Sequence, residues 1–199
     1  CRILIAMGEI GLKHEAVKEI DVNPLILSGS KPVAVDALIV LQKSQPKKSE
    51  AKLATGGLEK FFEPQSVAVI GASQTPHKAG NDVIQNILAN EFAGKLFLVN
   101  PRGGEILGHK VYKSIQDLPE GVDLAVIILP AAVTPQAIRD CAAKGAKAIV
   151  LAAGGFAEVD DKGEKLQEET LKAIRDSGVR AIGPNTSGHT STPHNFTSS

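Results

Sequence analysis

The sequence predicts an α/β fold, a doubly wound parallel sheet with a small N-terminal β-hairpin ahead of it. Three observations carry this. Between residues 57 and 185, five short apolar runs alternate with stretches whose apolar residues recur at helical spacing. The runs are almost continuously apolar, as strands are when helices cover both sheet faces. Strand and helix in alternation call for parallel neighbours joined by right-handed crossovers.

Taken in order, residues 1–42 form one unit. "KEIDVNPLIL" and "KPVAVDALIVL" read as two strands joined by the turn-rich "SGSK". The alternation in "EIDVN" puts Glu19, Asp21 and Asn23 on one strand face. A hairpin of this size holds itself together poorly, so it is expected to lean on sequence outside this chain. The opening "CRILIAMGEIG", which lacks a Met start, and the abrupt end "HNFTSS" likewise point to a piece of a longer protein. Residues 43–56, "KSQPKKSEAKLATG", are polar and lysine-rich without apolar periodicity and read as a linker.

Residues 57–199 form the larger unit. Its strands are "SVAVI", "KLFLV", "DLAVIIL", "AKAIVLA" and "VRAIG". Between them, Val83, Ile84, Ile87 and Leu88 make one helical stripe; Val133, Ala137, Ile138 and Cys141 a second; Leu166, Leu171 and Ile174 a third. The tail "GHTSTPHNFTSS" reads as having no core of its own.

Composition narrows the function. The 199 residues are 43% hydrophobic, enough for one good core and a smaller piece. Lys plus Arg and Asp plus Glu number 22 each, so the formal net charge is zero. No global field draws such a chain to nucleic acid or an anionic membrane, and anion binding must be local. Cys1 and Cys141 form no CxxC pair, which excludes a zinc ribbon or a disulfide framework. Cys141, in "AIRDCAAKG", reads as a buried helical thiol. No apolar run approaches the roughly 20 residues that span a bilayer. A reducing cytoplasmic setting is the expectation.

In a doubly wound sheet, ligands bind at the carboxyl ends of the strands. The loops there are "GASQTPHKAG", "NPRGGE", "PAAVTP", "AAGGFAE" and "GPNTSG". In the first, Gly71 ends the strand without a Cβ, Ser73 and Thr75 offer hydroxyls, and Lys78 stands just before a helix. A strand that turns through glycine into a helix N-terminus is an anion seat, and Lys78 can pair with phosphate as a point charge. The spacing is neither the GxGxxG of a dinucleotide fold nor the GxxxxGK[ST] of a P-loop. The second strand ends in Asn100, Pro101 and Arg102, where NAD-binding folds carry Asp or Glu for the ribose. A guanidinium in place of a carboxylate argues against NAD and leaves NADP or coenzyme A.

Together "SVAVIGAS…P.K.G", "VNP", "DLAVIILPA", "GGFAE" and "IGPNTSG" resemble the Rossmann-like CoA-binding domain of NDP-forming (ADP-forming) acyl-CoA synthetases, the acetate–CoA ligase family, and more distantly the succinyl-CoA synthetase alpha subunit. The resemblance runs from about residue 57 to 197, and "KEIDVNPLIL…VAVDALIVL" resembles the C-terminal end of the same family's ATP-grasp domain. It implies that Asp21, Asn23 and Asp36 hold the Mg²⁺ of ATP or ADP in an intact enzyme, hard oxygen donors suiting that ion. By the same resemblance Gly71, Ala72 and Ser73 approach the CoA phosphates, Lys78 and Arg102 supply charge, and Asn100 and Pro101 border the adenosine. Leu129, Pro130 and Ala131 would line the pantetheine path, Gly154, Gly155 and Phe156 the thiol end, and Asn185 would order the reaction centre. Related domains commonly carry Cys or another small residue where Thr186 stands.

The chemistry implied is a relay. Acid, CoA and ATP give acyl-CoA, ADP and phosphate through an acyl phosphate and a phosphohistidine that carries the phosphoryl group between distant sites. The carrier is expected in a further domain; of the candidates His77, His109, His189 and His194 in this chain, His77 reads as a ligand neighbour or an exposed residue, and His189 and His194 sit in a polar tail with no orienting acid nearby in sequence. The chain alone is therefore expected to bind CoA without catalysing the ligation, its partners being the remaining ligase domains, in this or another chain, in an oligomeric enzyme, and a small carboxylic acid or acyl-CoA. Two readings compete. One is an NADP-binding oxidoreductase domain, although no Tyr–Lys pair for hydride transfer is visible and Tyr112 is the one tyrosine. The other is a non-catalytic CoA-binding regulatory module, for which half a metal site would have no use.

Overall fold

The computed structural model describes residues 2–29, 31–41 and 57–199. The expected linker, 43–56, and Cys1 lie outside the described residues. Two compact units result, one within Cys1–Ala54 and one within Thr55–Ser199.

The first unit opens with a helix, α1 (Arg2–Lys13), which the sequence pattern left unassigned. Four short strands follow: β1 (Val17–Asp21), β2 (Leu25–Ser28), β3 (Lys31–Ala34) and β4 (Leu38–Leu41). β1 pairs antiparallel with β4, and β2 with β3. The expected hairpin is thus present but interrupted. Asp21 faces Leu38 and Leu25 faces Ala34, one unbroken register, yet both strands break between these pairs. Pro24 has no N–H to give the ladder, and Asp36 turns its carboxylate onto the Ala37 N–H (2.8 Å). No side chain described in this unit is buried, and Leu12 and Leu27 are 87% and 75% exposed.

The second unit begins with a single helical turn, α2 (Glu59–Phe62). The predicted alternation follows: β5 (Ser66–Ile70), α3 (Ala79–Ala89), β6 (Lys95–Val99), then a hairpin of β7 (Gly104–Ile106) and β8 (His109–Tyr112). β9 (Leu124–Ile127), α4 (Thr134–Ala143), β10 (Ala148–Leu151), α5 (Asp161–Ser177) and β11 (Arg180–Ile182) complete it. β12 (Thr190–Ser191) and β13 (Phe196–Thr197) form a separate two-stranded ladder in the tail. The main sheet has seven strands in the order β11-β10-β9-β5-β6-β8-β7, parallel except for β7. The chain winds outward from β5 in both directions, so the switch point lies between β5 and β9, where such sheets bind ligands.

Side chains alternate between the two sheet faces and build two cores. Ile70, Val99, Ile127 and Leu151 pack with Ile138 and Cys141 of α4 and Ala173 of α5. Val67, Val69, Leu98 and Val126 pack with Val83, Ile84 and Ile87 of α3 and with Phe61 and Phe196. The hairpin β7–β8 was not predicted. Its two-residue turn places both Leu107 and Gly108 at positive φ (51° and 79°), the conformation of a type I′ turn, but Leu-Gly lacks the Asn or Asp that signals one.

Two expectations are corrected. Leu171 of the third stripe is exposed, while Ile174 packs against the core beside the buried Gly163, Thr170 and Ala173, small residues that let α4 lie close. Val133 precedes α4 in a 3₁₀ turn (Ala131–Val133) and is exposed. The tail, without a core of its own, joins the core of this unit: the Phe196 side chain is fully buried against Phe61 and α3. His189 Nε2 lies 2.6 Å from the Phe61 carbonyl and Nδ1 2.9 Å from Ser198 Oγ, with the rings of Phe61, Phe62 and Phe196 around it.

Candidate functional site

The first loop is held against two strands. Gly71 N and Ala72 N both donate to the Val99 carbonyl (3.0 and 3.1 Å). Gly71 sits at φ 96°, where a Cβ would overlap the Ile128 carbonyl oxygen, so glycine is required there. Gly80, in the first turn of α3, is equally constrained, because its Cβ would overlap the Gly71 carbonyl. The helix N-terminus therefore lies directly on the strand end. Ser73 Oγ accepts from Thr75 N (3.1 Å), and Lys78 is the extended residue that caps α3.

Two amides that sequence reasoning did not assign to the loop's shape turn out to set it. Asn81, 3% exposed, donates through Nδ2 to the Ser73 carbonyl (2.9 Å). A polar residue on the buried face of an otherwise apolar helix was the available signal. Asn100 donates to the Ala72 carbonyl (2.8 Å) and accepts from Arg102 N (2.9 Å), so its amide ties the first loop to the second and sets the start of Arg102. Gln74 Nε2 reaches the Glu105 carbonyl (2.6 Å) from the other side.

These contacts frame a cavity of about 400 Å³ that holds Gly71, Ala72, Ser73, Lys78, Asn100 and Arg102 together. A second cavity, about 480 Å³ and apolar, opens toward α4 between Val99, Pro101, Ile115, Leu129 and Cys141. Gly71 and Leu129 border both. Pro101 and Asn100, adjacent in sequence, thus belong to different cavities. Burial, and then the neighbouring Asp140 charge, pushes the Cys141 thiol up to about 12, so it stays protonated in this wall.

The later loops meet beyond Leu129. A Cβ added at Gly155 would lie 3.6 Å from Ala131 Cβ, and one at Gly154 would lie 3.4 Å from Asn185 Oδ1. Asn185 itself has φ 54° and donates from its backbone N to the Ala153 carbonyl (3.0 Å). Pro130 is exposed at the start of the 3₁₀ turn. The Phe156 side chain is fully buried, so this residue presents only backbone to the rim. Glu158, which no sequence reading singled out, accepts from Gly155 N (2.6 Å) and Phe156 N (3.1 Å). Its own backbone N–H and those two hold its carboxyl below the usual range.

In the first unit, Asp21 pairs with Leu38 and Leu25 with Ala34, and Asn23 and Asp36 lie in the two unpaired segments between these pairs. Among the described residues no three His, Cys, Asp or Glu side chains gather to hold a metal ion. No described helix is long and apolar enough to cross a membrane. His194 does find an acid in space that the sequence did not place: its Nε2 lies 3.3 Å from Glu63 Oε1 and its Nδ1 2.9 Å from Ser191 Oγ.

A doubly wound sheet with a polar, cationic cavity at its switch point defines a nucleotide-binding protein. Residues 65–191 match the model of the CoA binding domain, and the chain belongs to that family. It is 36% identical over 197 residues to acetate–CoA ligase [ADP-forming] II of Archaeoglobus fulgidus, across 99% of this chain and 28% of that protein. It is 41% identical over 140 residues to the acetate–CoA ligase [ADP-forming] I subunit alpha of Pyrococcus furiosus, across 68% of this chain and 30% of that subunit. Among solved structures it is similar to the dinucleotide-forming acetyl-coenzyme A synthetase 1 of Ca. Korarchaeum cryptofilum in complex with phosphate and ADP, with 37% identity and a TM-score of 0.67 over 71% of this chain and 30% of that one. The chain therefore matches the CoA-binding portion of ADP-forming acyl-CoA synthetases and spans less than a third of these relatives' length. An NADP oxidoreductase domain is not favoured.

Proposed function

We propose that the second unit binds coenzyme A and serves an ADP-forming acyl-CoA ligase whose remaining domains lie elsewhere in the same or another chain. The observation that carries this is the pair of adjoining cavities at the switch point. CoA has an anionic phosphate portion and a flat apolar base, and the chain offers a cationic cavity with Lys78 and Arg102 beside an apolar one with Pro101 and Leu129. In this reading Lys78 and the α3 N-terminus face the phosphates. Arg102, started by Asn100, reaches the phosphate on the adenosine side. The pantetheine arm runs past Leu129, Pro130 and Ala131 toward Gly154, Gly155 and Asn185.

The whole reaction joins a small carboxylic acid to CoA at the expense of ATP, through an acyl phosphate and a histidine-bound phosphoryl group. Asp21, Asn23 and Asp36 would supply a partial Mg²⁺ site in the intact enzyme: two carboxylates and an amide, in and beside the paired strands, are hard oxygen donors of the kind this ion takes when phosphate oxygens and water complete its shell. Mg²⁺ there would neutralise charge on the nucleotide phosphates. With the carrier histidine assigned to a further domain, CoA binding without ligation is the expected behaviour of this chain, in the cytoplasm and within an oligomeric enzyme.

Calorimetric titration with CoA and, separately, NADPH tests the reading. CoA should bind, and Lys78→Ala or Arg102→Ala should each weaken it about tenfold, the scale of one charge-assisted phosphate contact. Binding of NADPH alone would overturn it. Steady ATP- and CoA-dependent acyl-CoA formation by this chain alone would overturn the assignment of catalysis to the missing domains.

A further inference from the structure

The loop after β10 carries two consecutive glycines, and a free Gly-Gly segment samples many conformations. Here it is anchored on one side by the buried Phe156 ring and by α5, whose Gly163 lies against the Phe156 carbonyl so closely that a Cβ would overlap it. Asp160 caps that helix by accepting from Gly163 N (2.8 Å). On the other side Gly154 and Gly155 are both exposed. What turns the backbone there is Glu158. Its two carboxylate oxygens each take one of two successive amides, Gly155 N at 2.6 Å and Phe156 N at 3.1 Å. The same carboxylate stands 3.0 Å from where a Gly154 Cβ would be, and Asn185 Oδ1 is 3.4 Å from that point, so it sits between the glycine loop and the fifth loop.

We propose that Glu158 is the positioning residue of this loop: by holding the Gly155 and Phe156 amides it fixes the Gly154–Gly155 backbone in the shape that admits the thiol end of CoA. The inference rests on the CoA reading above. Glu158 acts through the backbone rather than by touching the reacting atoms. A glutamine cannot replace it, because one end of a carboxamide is a donor and would face an amide N–H. An aspartate is one methylene too short to span both amides from the same backbone position.

The test pairs two ligands. CoA reaches the glycine loop with its pantetheine arm, whereas adenosine 3′,5′-bisphosphate fills only the two cavities at the switch point. Calorimetry on the wild-type chain, Glu158→Gln and Glu158→Ala should show CoA weakened about fivefold or more in both variants, with bisphosphate affinity unchanged. Unchanged CoA affinity in Glu158→Gln overturns the proposal, and so does parallel weakening of both ligands, which signals a general loss of structure. Failure of the wild-type chain to bind either ligand overturns the CoA reading itself, and a ligand-free measurement separates the two failures. Amide hydrogen exchange at Gly155 and Phe156 should be slow in the unliganded wild type and fast in Glu158→Gln; equal exchange in both overturns the positioning role whatever the ligand.

Discussion

Gly71 is where backbone geometry and binding meet. Its φ of 96° and its approach to the Ile128 carbonyl leave no room for a side chain. Gly71→Ala should therefore destabilise the second unit by about 2–3 kcal/mol or more, read as a lower urea midpoint, and abolish CoA binding in the fraction that stays folded. Cys141 makes a second residue-scale prediction. With its thiol pushed up to about 12, it carries roughly one thiolate in ten thousand at pH 8 and should react with an aromatic disulfide reagent only on unfolding. Rapid labelling of the native chain would contradict its burial. Lys78 and Arg102 stood out in the sequence as candidate cations because both lie in loops that follow apolar strands, Lys78 at the start of α3 and Arg102 three residues past β6. The work of Asn81 and Asn100 was not legible, because their partners are carbonyls of other loops, at Ser73 and Ala72.

The glycine loop and α5 show how an element is held by charge. Three backbone N–H groups lower the Glu158 pKa below 4.5, so its ionised form is favoured in the folded chain. A depressed folded pKa contributes stability that is present above the unfolded value and is lost as pH falls through the folded value. Wild type should thus lose part of its advantage over Glu158→Gln on acidification below about pH 4.5, which paired acid-unfolding curves would reveal. If the gap between the two curves does not narrow, the carboxylate is not held as described. Strand and helix periods were readable for β5, β6, β9 and β10 because both faces of these strands are covered. In α5, Ile174 packs on the core as the period implies, but Leu171 is exposed and the fully buried positions are Gly163, Thr170 and Ala173, which carry little hydropathy and much shape.

The molecule as a whole has its apolar burial in one unit. Every described side chain before residue 42 is at least partly exposed, while the second unit holds two full cores. The tail is part of one of them. Phe196→Ala should cost about 3–5 kcal/mol of unfolding free energy, seen as a drop in thermal midpoint, and should loosen His189 from Phe61 and Ser198. A neutral result would mean that the tail merely rests on the sheet.

By itself the sequence determined the parallel α/β alternation, the order of the five strand-end loops and the glycine and charged residues those loops carry. These depend on hydrophobic period and on glycine and charge at strand ends, which are local quantities. Tertiary structure alone decided that Phe196 belongs to the core, that Pro101 and Asn100 line different cavities, and that Glu158 holds the glycine loop. The reason is physical: each is a contact between segments whose distance along the chain carries no periodic signal, and its partner is often a backbone carbonyl or amide that every residue possesses.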